Sequence, residues 1–139
     1  MTSLISRPDE LAEHLTARLE RAFDAHLERA QIWYPHEYVP LGGAKDFADQ
    51  PFEETQSRLS KEVRASVQLN LLTEDNLPGY HGEIARVTGN TDVWKTELDR
   101  WTAEEGRHAI ALRDYLTVTR AVDPVVLEQE RMATGSAGF

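Results

Sequence analysis

Cysteine is absent from the 139 residues of this chain. That absence excludes disulfide frameworks, thiolate nucleophiles, and zinc or iron–sulfur sites built on cysteine, so any bound metal must be held by histidine and carboxylates. Long apolar stretches are missing too. No run reaches the roughly 18 residues that a membrane-spanning helix needs, and Met1 to Glu10 shows no apolar segment behind a basic patch. The expectation is a cytoplasmic protein with no membrane span. Positive charge is in short supply: 15 Lys and Arg stand against 24 Asp and Glu, a formal net charge of −9. A field of that sign repels phosphate backbones and anionic lipid surfaces, which disfavours nucleic acid and membranes as partners. With 40% hydrophobic residues the chain can still supply a core, and its length predicts a single domain over 1–139.

Alternation of period two, the mark of a half-buried strand, is also lacking. Spacings of three and four dominate, and the fold class they predict is all-α. Leu11, Leu15, Leu19, Phe23 and Leu27 recur every four residues behind Ser6, a candidate N-cap, and predict one long amphipathic helix. From Ile32 to about Leu59 the period breaks, and Pro35, Pro40, Gly42, Gly43 and Pro51 predict an ordered loop with a short helical turn. Ser60 opens a second helix with the stripe Val63, Val67, Leu71, running toward Leu77 until Pro78-Gly79 interrupts it. After Thr88-Gly89-Asn90, Thr91 is the candidate cap of a third long helix reaching about Arg120. Asp123-Pro124 starts a short fourth helix, and the tail 133–139, with its glycines and serine, is expected to fray.

The third helix carries the chemistry. Trp94, Leu98, Trp101, Glu105, His108, Leu112 and Tyr115 follow one another at alternating spacings of four and three, which makes them one packing seam. A carboxylate set among large apolar residues is costly to desolvate unless compensated, so Glu105 needs a partner. His108, three residues on, lies beside it on the same face, and the two can ligate one metal or a metal pair. Glu74 is three residues after Leu71 and three before Leu77, and is predicted to point inward as well. Pro78 cannot donate to the carbonyl of Glu74 and is expected to loosen the helix there. One helix giving Glu and another giving Glu-x-x-His form the half-site of a carboxylate-bridged di-iron or di-manganese centre, with donors that also admit zinc. The alternative reading pairs Glu105 with Arg107 or Lys95 and satisfies His108 with a backbone carbonyl. Glu104 and Arg107 fit an ion pair or a supporting position behind the ligands, and His81 offers an additional ligand. His14, His26 and His36 read as surface or hydrogen-bonding histidines, Trp33 and Trp101 as core aromatics.

Three blocks together resemble a known family. Trp33-Tyr34-Pro35-His36-Glu37-Tyr38-Val39-Pro40, Thr73-Glu74-Asp75-Asn76-Leu77-Pro78 and Trp101-Thr102-Ala103-Glu104-Glu105-Gly106-Arg107-His108 resemble, in order and spacing, the signatures of the soluble acyl-acyl-carrier-protein desaturases, especially the bacterial branch. The likeness runs from about Trp33 to Pro124. It implies a ferritin-like helical bundle with a non-haem di-iron centre that activates O2 and inserts a double bond into an acyl chain carried by acyl carrier protein, with electrons from a ferredoxin. It further implies Glu74 as a terminal iron ligand, Glu105 as the carboxylate bridging the irons and His108 as the imidazole ligand of the same half. Trp33 and Trp101 match tryptophans near that site, and Trp33 matches one proposed to relay electrons. A carboxylate shell suits oxidised iron, and an apolar seam keeps water from the oxidant.

Two departures stand out. Gly106 occupies a position where the family usually has Asn, at a cost of about 1 kcal/mol in helix propensity and with loss of a polar neighbour to the ligands. The 139 residues also hold only half of the family's ligand set: no second Glu-x-x-His follows His108, and Glu128 and Glu130 are the carboxylates of the terminal helix. A two-fold homodimer would bring together two copies of Glu74, Glu105 and His108 and restore the count. An acidic carrier protein needs a basic docking surface, for which Arg18, Arg21 and Arg29, or Arg58, Lys61 and Arg64, are candidates beside their reading as solvated charges. A truncated non-catalytic helical module and a small ferritin-like iron-binding protein are the other readings.

Overall fold

The computed structural model describes residues 8–88 and 92–137, with side chains from Leu15 onward. Ser6, Thr91 and the side chains of Leu11 and His14 lie outside the described residues. The α-helices are α1 (Pro8–Arg29), α2 (Lys61–Glu74), α3 (Leu77–Thr88), α4 (Asp92–Val118) and α5 (Pro124–Ala137). No strand occurs among the described residues, so the fold class is all-α as the spacings predict. None of the described helices is long and apolar enough to cross a membrane. The chain divides into two compact units, Met1–Ile32 with Pro78–Glu104 and Trp33–Leu77 with Glu105–Phe139.

In the first unit Leu15, Leu19 and Phe23 of α1 are partly buried, whereas Leu27 is 45% exposed. A spacing of four overshoots a full helical turn by about 40° at each step, so the stripe winds off the packed face before the helix ends.

The second unit holds the larger core. Leu71 of α2, Leu116 of α4, Leu127 of α5, and Ala121 and Val122 of the α4–α5 link are buried together, with Leu59, Val67, Ala109 and Leu112 packed against them. Ser60 caps α2, its hydroxyl accepting a hydrogen bond from Val63 N at 3.3 Å, an interaction worth about 1 kcal/mol. Polar ties join α2 to α5: Arg131 donates to both oxygens of Asp75, at 2.7 and 2.9 Å, and Gln68 donates to Glu130. The hydrogen bonds that Arg131 donates to Asp75 are the largest cause of its strongly raised pKa, and those to Glu128 add to it. The loop before α2 contains three short 3-10 turns, Pro35–Glu37, Leu41–Gly43 and Glu54–Gln56, where one is expected.

Pro78 acts differently from its expected role. Helix α2 stops at Glu74, Asp75 and Asn76 turn the chain, and α3 restarts at Leu77. The proline thus falls in the first turn of α3, where a backbone N–H has no intrahelical acceptor to lose, and it starts that helix instead of loosening α2. In the second unit, α5 continues to Ala137 through residues expected to fray, with Ser136 Oγ donating to Met132 O at 2.7 Å.

Helix α4 ends in a Schellman turn. Ala121 N donates to Leu116 O at 2.9 Å and Arg120 N to Thr117 O at 3.1 Å, with Arg120 in the left-handed region at φ 48°. Glycine is the usual occupant of that position because it has no Cβ to strain.

Candidate metal centre

Glu74 is the last residue of α2, and Glu105 and His108 lie one turn apart on α4, all within the second unit. One ligand atom from each lies within 4.8 Å of the others. His108 Nδ1 is 2.7 Å from Glu105 Oε2 and 3.7 Å from Glu74 Oε1. The side chains of Glu74 and Glu105 are each 28% exposed and that of His108 is 42% exposed, so the group is half-buried and not enclosed as a seam of large apolar residues suggests. Glu74 and His108 form part of the wall of a cavity of about 550 Å³ that Trp33, Tyr38, Asn70 and Tyr115 also line.

Among the described residues neither carboxylate meets a lysine or an arginine. Asp75, beside Glu74, is taken by Arg131, and Lys95 pairs with Asp99 at 2.5 Å. Arg107 donates to Trp33 O at 3.1 Å and sets its guanidinium 5.0 Å from the indole centroid. The reading in which Arg107 or Lys95 neutralises Glu105 and a backbone carbonyl satisfies His108 is therefore not the arrangement found. Glu74 also stands at the C-terminal end of α2, where the helix dipole disfavours negative charge. Two acids facing one imidazole there leave a deficit of positive charge that a metal cation would fill. Carboxylate oxygen and imidazole nitrogen are donors that suit iron or manganese, so the residues present fit such an ion.

Aromatic groups frame the histidine. The Trp33 ring stacks on His108 with centroids 5.5 Å apart and 9° between planes, and Tyr38 meets Trp33 edge-on at 5.4 Å. Arg107 ties the Trp33 backbone and ring to α4. Asn70 was open to sequence reasoning, since a residue four before Glu74 shares its helix face.

The remaining candidates have other partners. Glu104 accepts hydrogen bonds from His26 Nε2 at 2.9 Å and Arg100 Nε at 2.5 Å within the first unit. Burial pushes its carboxyl up, but the hydrogen bonds from Arg100 and His26 outweigh burial and hold its pKa below the ordinary value. His81, offered as an additional ligand, is not one of the three clustered residues; its Nδ1 lies 2.8 Å from Thr102 Oγ1 in the first unit. Trp101 is half-buried one turn before Glu105 on α4. His36 stacks on Tyr34 at 5.7 Å.

Gly106 lies between Glu105 and His108 on α4, and a Cβ added there would meet Leu77 Cδ2 at 3.9 Å, an ordinary contact. Gly106→Ala is therefore expected to stabilise the chain by about 0.5–1 kcal/mol through helix propensity and a less flexible unfolded state. A higher urea midpoint at unchanged slope is the expected reading, and a lower midpoint would contradict it.

The fatty acid desaturase family matches residues 8–139 of this sequence. The chain belongs to that family. It is 44% identical over 133 residues to the acyl-[acyl-carrier-protein] desaturase assignment DesA1 of Mycobacterium tuberculosis, covering 94% of this chain and 39% of the relative. With the chloroplastic stearoyl-[acyl-carrier-protein] 9-desaturase of Spinacia oleracea it shares 30% identity over 132 residues, 86% of this chain and 33% of the relative. Among solved structures it matches DesA2 of M. tuberculosis with a TM-score of 0.65 and 35% identity, over 88% of this chain and 46% of that one. The fold is accordingly the ferritin-like, all-α type of that structure. This family member spans half or less of the length of these relatives.

Proposed function

We propose that this chain serves the O2-dependent insertion of a double bond into fatty acyl chains carried by acyl carrier protein, as part of cytoplasmic fatty-acid biosynthesis, with iron held by Glu74, Glu105 and His108. The observation that carries the reading is the meeting of those three donors within 4.8 Å, with no lysine or arginine against either carboxylate among the described residues. Kinship with proteins named acyl-[acyl-carrier-protein] desaturases supports the reaction class. A bound di-iron centre supplies the O2 activation that such a desaturation needs. Glu74 and Glu105 provide anionic oxygen donors, and His108 provides a nitrogen donor once Nδ1 is free of its proton. Trp33, stacked on His108, offers an aromatic contact to the ligand shell for electrons from a ferredoxin-type donor. Two copies of the chain in a homodimer supply four carboxylates and two imidazoles, the full complement of a carboxylate-bridged metal pair.

Anaerobic loading with Fe(II), desalting, and determination of iron per chain together with solution mass tests this reading. The expected result is about one iron per chain in a dimer, two half-sites building one di-iron site. An iron-free protein would overturn the assignment of the ligands. Retained iron without desaturation of an acyl-carrier substrate in the presence of reduced ferredoxin would favour a small ferritin-like iron-binding protein.

A further inference from the structure

The second unit contains another cavity, of about 600 Å³, which shares Tyr115 with the one beside the metal ligands but contains none of them. Lys45, Arg58 and Arg120 line it beside the apolar Phe47, Leu59 and Val118, and no carboxylate does. Three cations around one cavity run against a chain of net charge −9. Lys45 and Arg58 are exposed, whereas Arg120 is only 5% exposed. Arg120 donates Nε to Gln56 Oε1 and Nη2 to Gln50 O, each at 3.0 Å, and its guanidinium lies 4.3 Å from the Phe47 centroid and 5.8 Å from that of Phe52. Of the five N–H groups of a guanidinium, three are left without an acceptor among the described residues, and no carboxylate there pairs with the charge. Asp46 accepts from Ala48 N and Asp123 from Val125 N. Asp49 and Asp123 line an adjoining cavity that shares Lys45, Phe47 and Arg120, but neither bonds to the guanidinium. A buried cation without a counter-ion is costly, and the left-handed backbone holds this one in place where glycine would be easier.

We propose that this cavity binds an amphiphile of the fatty carboxylate class, its oxyanion received by Arg120 with Lys45 and Arg58, its apolar tail against Phe47, Leu59 and Val118. The planar guanidinium matches a carboxylate in two parallel hydrogen bonds, and the apolar wall is what a free inorganic anion would not use. The assignment does not depend on a metal.

Isothermal titration of the metal-free chain with laurate, dodecanol and inorganic phosphate tests it. Laurate is expected to saturate a single site at least about tenfold more tightly than either of the others, since each lacks one of the two contributions. The exposed double variant Lys45→Gln/Arg58→Gln is expected to weaken laurate by about tenfold with an unchanged circular dichroism spectrum, and a folded Arg120→Gln variant to lose it. Dodecanol or phosphate binding as tightly as laurate, or laurate binding indifferent to the Lys45→Gln/Arg58→Gln pair, would overturn the proposal. Iron content after loading reads the metal site separately and is expected to be the same in the double variant.

Discussion

Glu105→Ala is expected to abolish stoichiometric iron retention, with affinity falling by roughly 100-fold or more, because even outer partners of metal ligands are worth 10- to 100-fold. The reasoning starts from charge. His108 Nδ1 lies 2.7 Å from Glu105 and 3.7 Å from Glu74, and the cations near them in sequence, Arg100, Arg107 and Arg113, are engaged with Glu104, Trp33 and Asp114. A metal would therefore be the principal positive charge in the group, and removing one of its two carboxylates removes much of what holds it. Iron-dependent thermal stabilisation should vanish with the iron, since a ligand that binds only the folded state stabilises by mass action. Glu104→Ala is the matched control: one residue away, its carboxylate is held by His26 and Arg100, and the variant is expected to keep its iron. Iron analysis and melting with and without Fe(II) check both variants; full iron retention by Glu105→Ala would sink the assignment.

Leu116→Ala is expected to destabilise the chain by about 2–5 kcal/mol, the range for removing a leucine side chain from a packed interior. Leu116, Leu71 and Leu127 are each 0% exposed and meet in the core of the second unit, so truncation leaves a cavity bounded by three helices. The Schellman turn is untouched, because it uses the Leu116 carbonyl and not its side chain. Leu69→Ala, at a position 65% exposed on α2, is expected to change stability by less than about 0.5 kcal/mol. Urea unfolding midpoints at constant slope separate the two, and comparable losses would contradict the core described here.

Much of the local structure is legible in particular residues. Ser60 and Asp123 are recognisable as caps because a short polar side chain just before an apolar run can satisfy the free N–H groups of a helix start; Asp123 Oδ1 accepts from Val125 N at 2.8 Å. The candidate donors are legible for a related reason. Glu105 and His108 are neighbours on one helix whatever surrounds them, and the stripe of α2 carries Glu74. Pro78 is legible as a break, but its register is not, because a proline tolerated in a first turn and one that disrupts a helix look alike in a string of residues. The drift of Leu27 out of the packed face likewise depends on where the partner surface ends.

By itself the sequence determined the all-α class and set Glu105 beside His108 on one helix face, because helical periodicity and i, i+3 spacing are properties of residues close along the chain; Glu74, on another helix, joins those two candidate donors only through packing. Only the tertiary structure decided which charges compete for those donors, that Trp33 is tied to Arg107 and stacked on His108, and that Arg120 is buried without a carboxylate among the described residues. The contacts of Arg107 and Arg120 join residues 74 and 64 positions apart, and 15 basic and 24 acidic side chains offer many alternative pairings, so packing alone selects among them.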